Sequence, residues 1–377
     1  MMSKKKQVDK SKTANFDAIL EGGADSYEGS LLEVDDLKMY FHTRDGVVKA
    51  VNGVTYKLEA GKTIGIVGES GSGKSVTAMT LMGLIDMPPG KIEGGDARYR
   101  GISLINACEK DLRQIRGNKI AMIFQDPMTS LNPVYKVGHQ LAEPLRIHKG
   151  MKKKEAWARA VELLRLVGIP SPEQRVKEYP HQFSGGMRQR VMIAMALACD
   201  PDILIADEPT TALDVTIQAQ IIQLMQDLQK KSNSAIVMIT HDLGVVADMA
   251  DDILVMYAGR PVEYGSVNDV FYNPSHPYTW GLMGSLPKTS SEISEKTELL
   301  PIDGMPPSLI DLPGGCAFHP RCPYVQDICR KEDPPNIEVE DESGKKHIAR
   351  CHFAGDAGFT KELKEAALLA SEGGSGS

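Results

Sequence analysis

Three glycines, a lysine and three serines stand together in Gly68-Glu69-Ser70-Gly71-Ser72-Gly73-Lys74-Ser75, the pattern G-x-x-x-x-G-K-[ST]. Glycines let successive backbone N–H groups turn inward around phosphate oxygens, and a helix beginning there adds positive potential. Lys74 is placed to reach the β and γ phosphates and Ser75 to bind Mg²⁺ through its hydroxyl. Gly68, Ser70, Gly71, Ser72, Gly73 and Val76 complete the candidate nucleotide-binding set. A second chemical element closes Ile203-Leu204-Ile205-Ala206-Asp207-Glu208, an apolar run that ends in two carboxylates. Asp207 is expected to hold Mg²⁺, and Glu208 to orient or deprotonate the water that attacks the γ phosphate. A bare glycine turn and two solvated acids are the purely structural alternatives.

These groups need rigid supports. Thr63-Ile64-Gly65-Ile66-Val67 reads as a buried strand running into the loop, and Val76 to Met82 as the helix leaving it. Buried strands are also legible at Ile120 to Phe124, Ile203 to Ala206 and Ala235 to Ile239, and Leu31 to Val34 and Val47 to Leu58 read as further short strands. Lys153 to Val167 repeats apolar residues at helical spacing. Strands alternating with helices predict an α/β fold around a mainly parallel sheet. Residues 1–29 mix Lys, Ser, Asp and Gly without periodicity and read as a mobile tail. After Asn273 prolines become frequent and periodicity fades, which suggests a separate, loop-rich module over 274–360. The remainder, 361–377, ends in Gly373-Gly374-Ser375-Gly376-Ser377, the composition of a flexible linker, and is set aside from functional reasoning.

Between the two chemical elements lies Phe183-Ser184-Gly185-Gly186-Met187-Arg188-Gln189-Arg190, followed by an apolar run to Ala198. This stretch resembles the L-S-G-G-Q signature of the ATP-binding-cassette family, and the order of the other parts is similar too. The resemblance spans residues 31 to 272 and implies an ABC-type ATPase with a mainly parallel core sheet, an antiparallel β subdomain and a helical signature subdomain. It implies roles as well: Phe41 stacking on adenine, with Tyr40 a second choice; Gln125 sensing Mg²⁺; Asp214, in Ala212-Leu213-Asp214, in the D-loop; and His241 contacting the γ phosphate. Ser184, Gly185, Gly186 and Met187 would cover the ATP of a second ATPase domain, so hydrolysis would need a dimer. Phe183 and Met187 depart from the signature's first and last residues, while Ser184-Gly185-Gly186 keeps its phosphate-contacting core. Singly, Gln125 could be a strand-end cap, and His241 and Phe41 core residues.

Phe124-Gln125-Asp126-Pro127-Met128-Thr129-Ser130-Leu131-Asn132-Pro133 and Asn273-Pro274-Ser275-His276-Pro277-Tyr278-Thr279 narrow the resemblance to the ATPases of oligopeptide and dipeptide importers, of the D type. This implies a peripheral subunit on the cytoplasmic face of the cell membrane. Its implied partners are a second ATPase subunit, often nonidentical, two integral membrane permeases and an extracytoplasmic substrate-binding protein. Importers of nickel, glycans or antimicrobial peptides have similar ATPases, and a soluble cassette ATPase working on DNA or ribosomes is the alternative from another class.

Composition agrees with these expectations. The 377 residues carry 43 Lys and Arg against 50 Asp and Glu, a net charge of −7, which argues against coating nucleic acid by bulk charge. No apolar run approaches the roughly 18 residues a membrane helix requires, and the basic first ten residues precede no apolar segment, unlike a secretory signal. Of six cysteines, Cys316, Cys322, Cys329 and Cys351 cluster late in the chain. Four thiolates suit a [4Fe–4S] cluster or one zinc ion, with disulfides or free thiols as the remaining choices. Paired C-x₂₋₄-C spacing is missing, and some D-type subunits carry an iron–sulfur cluster, so the resemblance favours the cluster. A metal or redox sensor using ATP as a switch is a third functional reading.

Overall fold

In the computed structural model the chain is described at residues 29–210, 215–284, 302–339, 346–356 and 358–359. The expectations for the N-terminal tail to residue 28, for Asp214 and for 361–377 lie outside these residues.

Strands β1 (Leu32–Thr43) and β2 (Gly46–Leu58) form a long antiparallel hairpin, and β3 (Thr63–Val67) follows with all five residues buried. Helix α1 (Lys74–Leu81) leaves the phosphate loop, then β4 (Gly90–Tyr99) returns to pair with β1 and with the short β5 (Ile102–Ser103). These strands make a four-stranded antiparallel sheet in the order β2-β1-β4-β5. Its strands alternate polar and apolar residues because only one face is covered.

The larger sheet is built from β6 (Ile120–Ile123), β7 (Ile203–Asp207), β8 (Ala235–Ile239), β9 (Asp252–Tyr257), β10 (Arg260–Ser266), β11 (Ile337–Val339) and β12 (His347–Ala349), together with β3. Its order is β11-β12-β10-β9-β3-β8-β7-β6. The five strands from β9 to β6 run parallel, as expected, and the three at the other edge are antiparallel. The parallel strands end side by side, which puts the phosphate loop after β3 and the acids of β7 on one rim.

The apolar interior falls into two main clusters. One fills the space between the antiparallel sheet, α1 and the core sheet, with Tyr56, Tyr99, Ile64 and Ile205 among its members. The other lies under the helices Val137–His148, Lys153–Leu166 and Gly185–Ala196. Lys153–Leu166 buries Ala156, Ala160, Leu163 and Leu164, the face its spacing predicts.

The proline-rich segment after residue 273 is joined to the core sheet. β12 pairs with β10 at Glu263↔Ala349 and Tyr264↔Ile348. Buried Glu263 accepts from the backbone N–H groups of Ser275 (2.7 Å) and His276 (3.1 Å), and its Oε1 lies 2.7 Å from His347 Nε2. One carboxylate thus holds both the start of the segment and its returning strand. His276 is enclosed as well, and burial pushes its pKa down to about 3, so it packs as a neutral ring.

Candidate ATP site

The phosphate loop has the shape its glycines require. Gly68 (φ +144°) and Gly73 (φ +100°) hold conformations that L side chains rarely adopt. A Cβ on Gly68 would meet the Met256 carbonyl oxygen at 2.1 Å, and one on Gly73 the Ala50 carbonyl oxygen at 2.1 Å. Lys74 is buried, and its Nζ donates to the carbonyls of Gly68 (2.7 Å) and Glu69 (2.9 Å) across the loop. Its pKa is lowered, chiefly by burial, while Glu208, Asp207 and Glu69 pull the other way. Among the described residues the buried Ser72 hydroxyl has no hydrogen-bond partner, the sort of polar atom a phosphate oxygen satisfies. Ser70 and Gly71 are exposed at the loop's tip, and Val76 packs its side chain toward the core.

The carboxylates stand opposite. Ser75 Oγ donates to Asp207 Oδ1 at 2.9 Å, so the two expected Mg²⁺ ligands of the loop and the strand already touch. Burial is the main cause of a raised Asp207 pKa. Glu208 follows β7 with φ +45°, held by its N–H donating to the Ile239 carbonyl at 2.8 Å. Gln125 Nε2 donates to Glu208 Oε2 at 2.8 Å, and His241 Nδ1 lies 3.5 Å from Glu208 Oε1. Gln125, Glu208 and His241 therefore form one contiguous group.

The remaining expected residues are placed elsewhere. Phe41 sits in β1 opposite Val48 and Gly90 with its ring half-buried against the core, and the Tyr40 hydroxyl is occupied by the Asn52 amide at 3.0 Å. Ser184 caps the helix Gly185–Ala196, its Oγ accepting from the Met187 N–H at 3.3 Å. Gly185 is exposed at that helix start, and Gly186 lies against Ile217. Gln189, one turn on, donates to the Pro209 carbonyl and so ties this helix to the acidic strand end.

Cys316, Cys322, Cys329 and Cys351 line one cavity with Phe318, Tyr324 and Phe353, and all are free thiols. Burial raises Cys316, pushes Cys322 up to about 12 and Cys351 up to about 11. The donor type suits a metal centre, but the spacing does not. The cavity leaves about 10 Å³ free, room for roughly one water. Among the described residues no three His, Cys, Asp or Glu side chains stand close enough to hold a metal ion. The expected iron–sulfur or zinc site is thus not formed by these side chains as they are arranged. His319 Nδ1 and His352 Nε2 face backbone carbonyls instead.

Contacts to the loop from Tyr278 and Arg321 escaped the sequence reading. Arg321 lies 252 positions from its partner Glu69, and no local pattern marks such a pair. The charged Glu69 inside the loop was the available signal.

Residues 51–211 match the ABC transporter family, and residues 262–329 match the oligopeptide/dipeptide transporter C-terminal region. The oligopeptide transport ATP-binding protein OppD of Bacillus subtilis is 56% identical over 82% of this chain and 86% of its own length. OppD of Salmonella typhimurium is 57% identical over 81% and 89%. The dipeptide transport ATP-binding protein DppD of Lactococcus lactis is 55% identical over 83% and 88%. Among solved structures, a dimeric post-hydrolysis state of an ATP-binding cassette bound to ADP and Pi is 28% identical with a TM-score of 0.57, covering 63% of this chain and 98% of that one. With phosphate loop, acidic strand end and C-terminal region all matched, the chain belongs to the ABC transporter ATPases, among the oligopeptide and dipeptide transport ATP-binding proteins.

Proposed function

We propose that this chain binds and hydrolyses ATP to drive import of dipeptides or oligopeptides, as a peripheral subunit on the cytoplasmic face of the cell membrane. The observation that carries the proposal is the juxtaposition of the phosphate loop with Asp207 and Glu208, in a chain whose C-terminal region matches that of peptide transporters. Among the described residues no helix is long and apolar enough to cross a membrane. The chain's attachment there is proposed to come from two integral permeases, supplied with solute by an extracytoplasmic binding protein.

In this reading Gly68 to Val76 cradle the phosphates and Phe41 stacks on the base. Ser75, Asp207 and Gln125 would hold Mg²⁺ with phosphate oxygens completing its shell, which suits an ion that favours few carboxylates. When bound, Mg²⁺ would neutralise charge on the transferring phosphoryl group. Glu208 takes the proton of the attacking water, and His241 contacts the γ phosphate. Ser184 to Met187 close over ATP held by a second, homologous ATPase subunit, and the nonidentical pairing implied by the resemblance is retained. Asp214 is assigned to the same interface from its motif alone. We assign residues 30–273 to the nucleotide-binding domain and 274–360 to the module.

Mass spectrometry of the intact complex, isolated through this chain, tests the reading. The expected result is two integral permeases and a second ATPase, with ATP-dependent peptide uptake after reconstitution. Recovery with ribosomes or DNA and no membrane protein would overturn it.

For the cysteine module we propose a four-thiolate centre on Cys316, Cys322, Cys329 and Cys351, an iron–sulfur cluster first and zinc second. What supports it is the convergence of four thiols on one cavity; occupancy would require the loop to spread around the centre. Elemental analysis of anaerobically purified protein should find iron with sulfide, or zinc, and a sample lacking both sinks the proposal.

A further inference from the structure

The phosphate loop is gripped from the C-terminal module at one residue, Glu69. The Arg321 guanidinium pairs with its carboxylate through both terminal nitrogens, Nη1 to Oε2 at 2.7 Å and Nη2 to Oε1 at 2.9 Å. Such fork-shaped pairing fixes orientation as well as charge. Arg321 is itself anchored: Nε donates to the Asp303 carbonyl at 2.9 Å and Nη2 to the Ile302 carbonyl at 3.1 Å, and the group lies over the Tyr257 ring. Only 5% of its side chain is exposed. The Glu69 backbone N–H donates to the Tyr278 hydroxyl at 2.9 Å, and Tyr278 packs with Tyr257 and Phe318 in an aromatic nest.

A carboxylate in a phosphate-binding loop works against its ligand, because like charges repel in a partly desolvated site. Glu69 acts electrostatically on Lys74, the lysine aimed at the phosphates. We propose that Arg321 is a positioning residue of the ATP site: it neutralises Glu69 and holds its carboxylate on the module, so that the loop presents net positive charge to the triphosphate. The inference rests on the ATP reading above. It makes the module part of the nucleotide site, since Arg321 springs from the loop between Cys316 and Cys322.

Equilibrium binding of Mg²⁺–ATP to the full-length chain tests this, with thermal melting as a check on folding. Arg321→Ala and Arg321→Gln should weaken binding on the order of tenfold, Arg321→Lys should recover part of it, and adding Glu69→Gln to Arg321→Ala should recover most. That rescue is the discriminating readout, because a merely structural arginine is not replaced by removing its partner's charge. In the assembled transporter the same variants should raise KM for ATP much more than they lower kcat. Unchanged binding in the variants, or weakening that Glu69→Gln does not relieve, overturns the inference while the ATP reading stands. A wild-type chain that binds no Mg²⁺–ATP overturns both.

Discussion

Replacing Glu208 with glutamine should lower ATP turnover by roughly 10²–10⁴-fold, the span a positioned general base contributes, while leaving ATP binding intact. The substitution keeps the side chain's length and its contact with Gln125, so what it removes is basicity. Both carboxylate oxygens are addressed, Oε2 by Gln125 at 2.8 Å and Oε1 by His241 Nδ1 at 3.5 Å. The backbone is held at φ +45°, a conformation that costs a non-glycine residue about 1–3 kcal/mol and persists only where its surroundings impose it. Here the hydrogen bond from the Glu208 N–H to Ile239 on β8 imposes it. In the assembled complex the variant should accumulate a closed, ATP-bound pair of ATPase subunits. Phosphate release measured beside equilibrium nucleotide binding decides the matter, and turnover equal to that of the wild type would remove Glu208 from the chemistry.

The second large effect concerns stability. Asp202, just before β7, accepts from Arg100 Nη2 at 2.7 Å and from the Tyr99 hydroxyl, with Lys119 at 3.9 Å. The side chains of Arg100 and Asp202 are only 2% and 7% exposed. Tyr99 and Arg100 belong to the antiparallel sheet's last turn, so this cluster rivets that sheet to the core sheet. Burial and the Asp202 contact raise the Tyr99 pKa, leaving its hydroxyl a donor. Asp202→Ala would remove the carboxylate that the buried Arg100 guanidinium and the Tyr99 hydroxyl share. Breaking a buried pair on one side typically costs about 3–5 kcal/mol. Urea denaturation should show a fall of that order, and a loss under about 1 kcal/mol would mean the cluster relaxes more freely than its burial suggests.

Legibility in the sequence followed burial. Strands covered on both faces, such as Ile203–Asp207 and Ala235–Ile239, are continuous apolar runs that stand out from their neighbours. β4 was missed because one face meets solvent and Gly94 and Gly95 interrupt it. β9 was also missed, although Ile253 to Tyr257 carries the same apolar signal as its neighbours. In the site, phosphate loop and acidic pair were legible because the chemistry demands contiguous residues. The contacts joining Gln125, Glu208 and His241 needed three strand ends brought together by topology. The cysteines show the limit from the other side: four thiols late in the chain pointed to a metal centre, and they do line one cavity, but nothing in the sequence specified their arrangement within it.

The Glu263–His347 contact links positions 84 residues apart, the later of them on the strand that covers the edge of β10. On a ribosome, β10 emerges long before that cover. At about 5–20 residues per second the nascent chain carries an open strand edge for several seconds. An uncovered edge is a template for pairing with any other extended chain. Among the described residues the last strand to be made is therefore also the one that ends this edge's exposure to mispairing, which ties successful synthesis to a three-residue strand late in the chain.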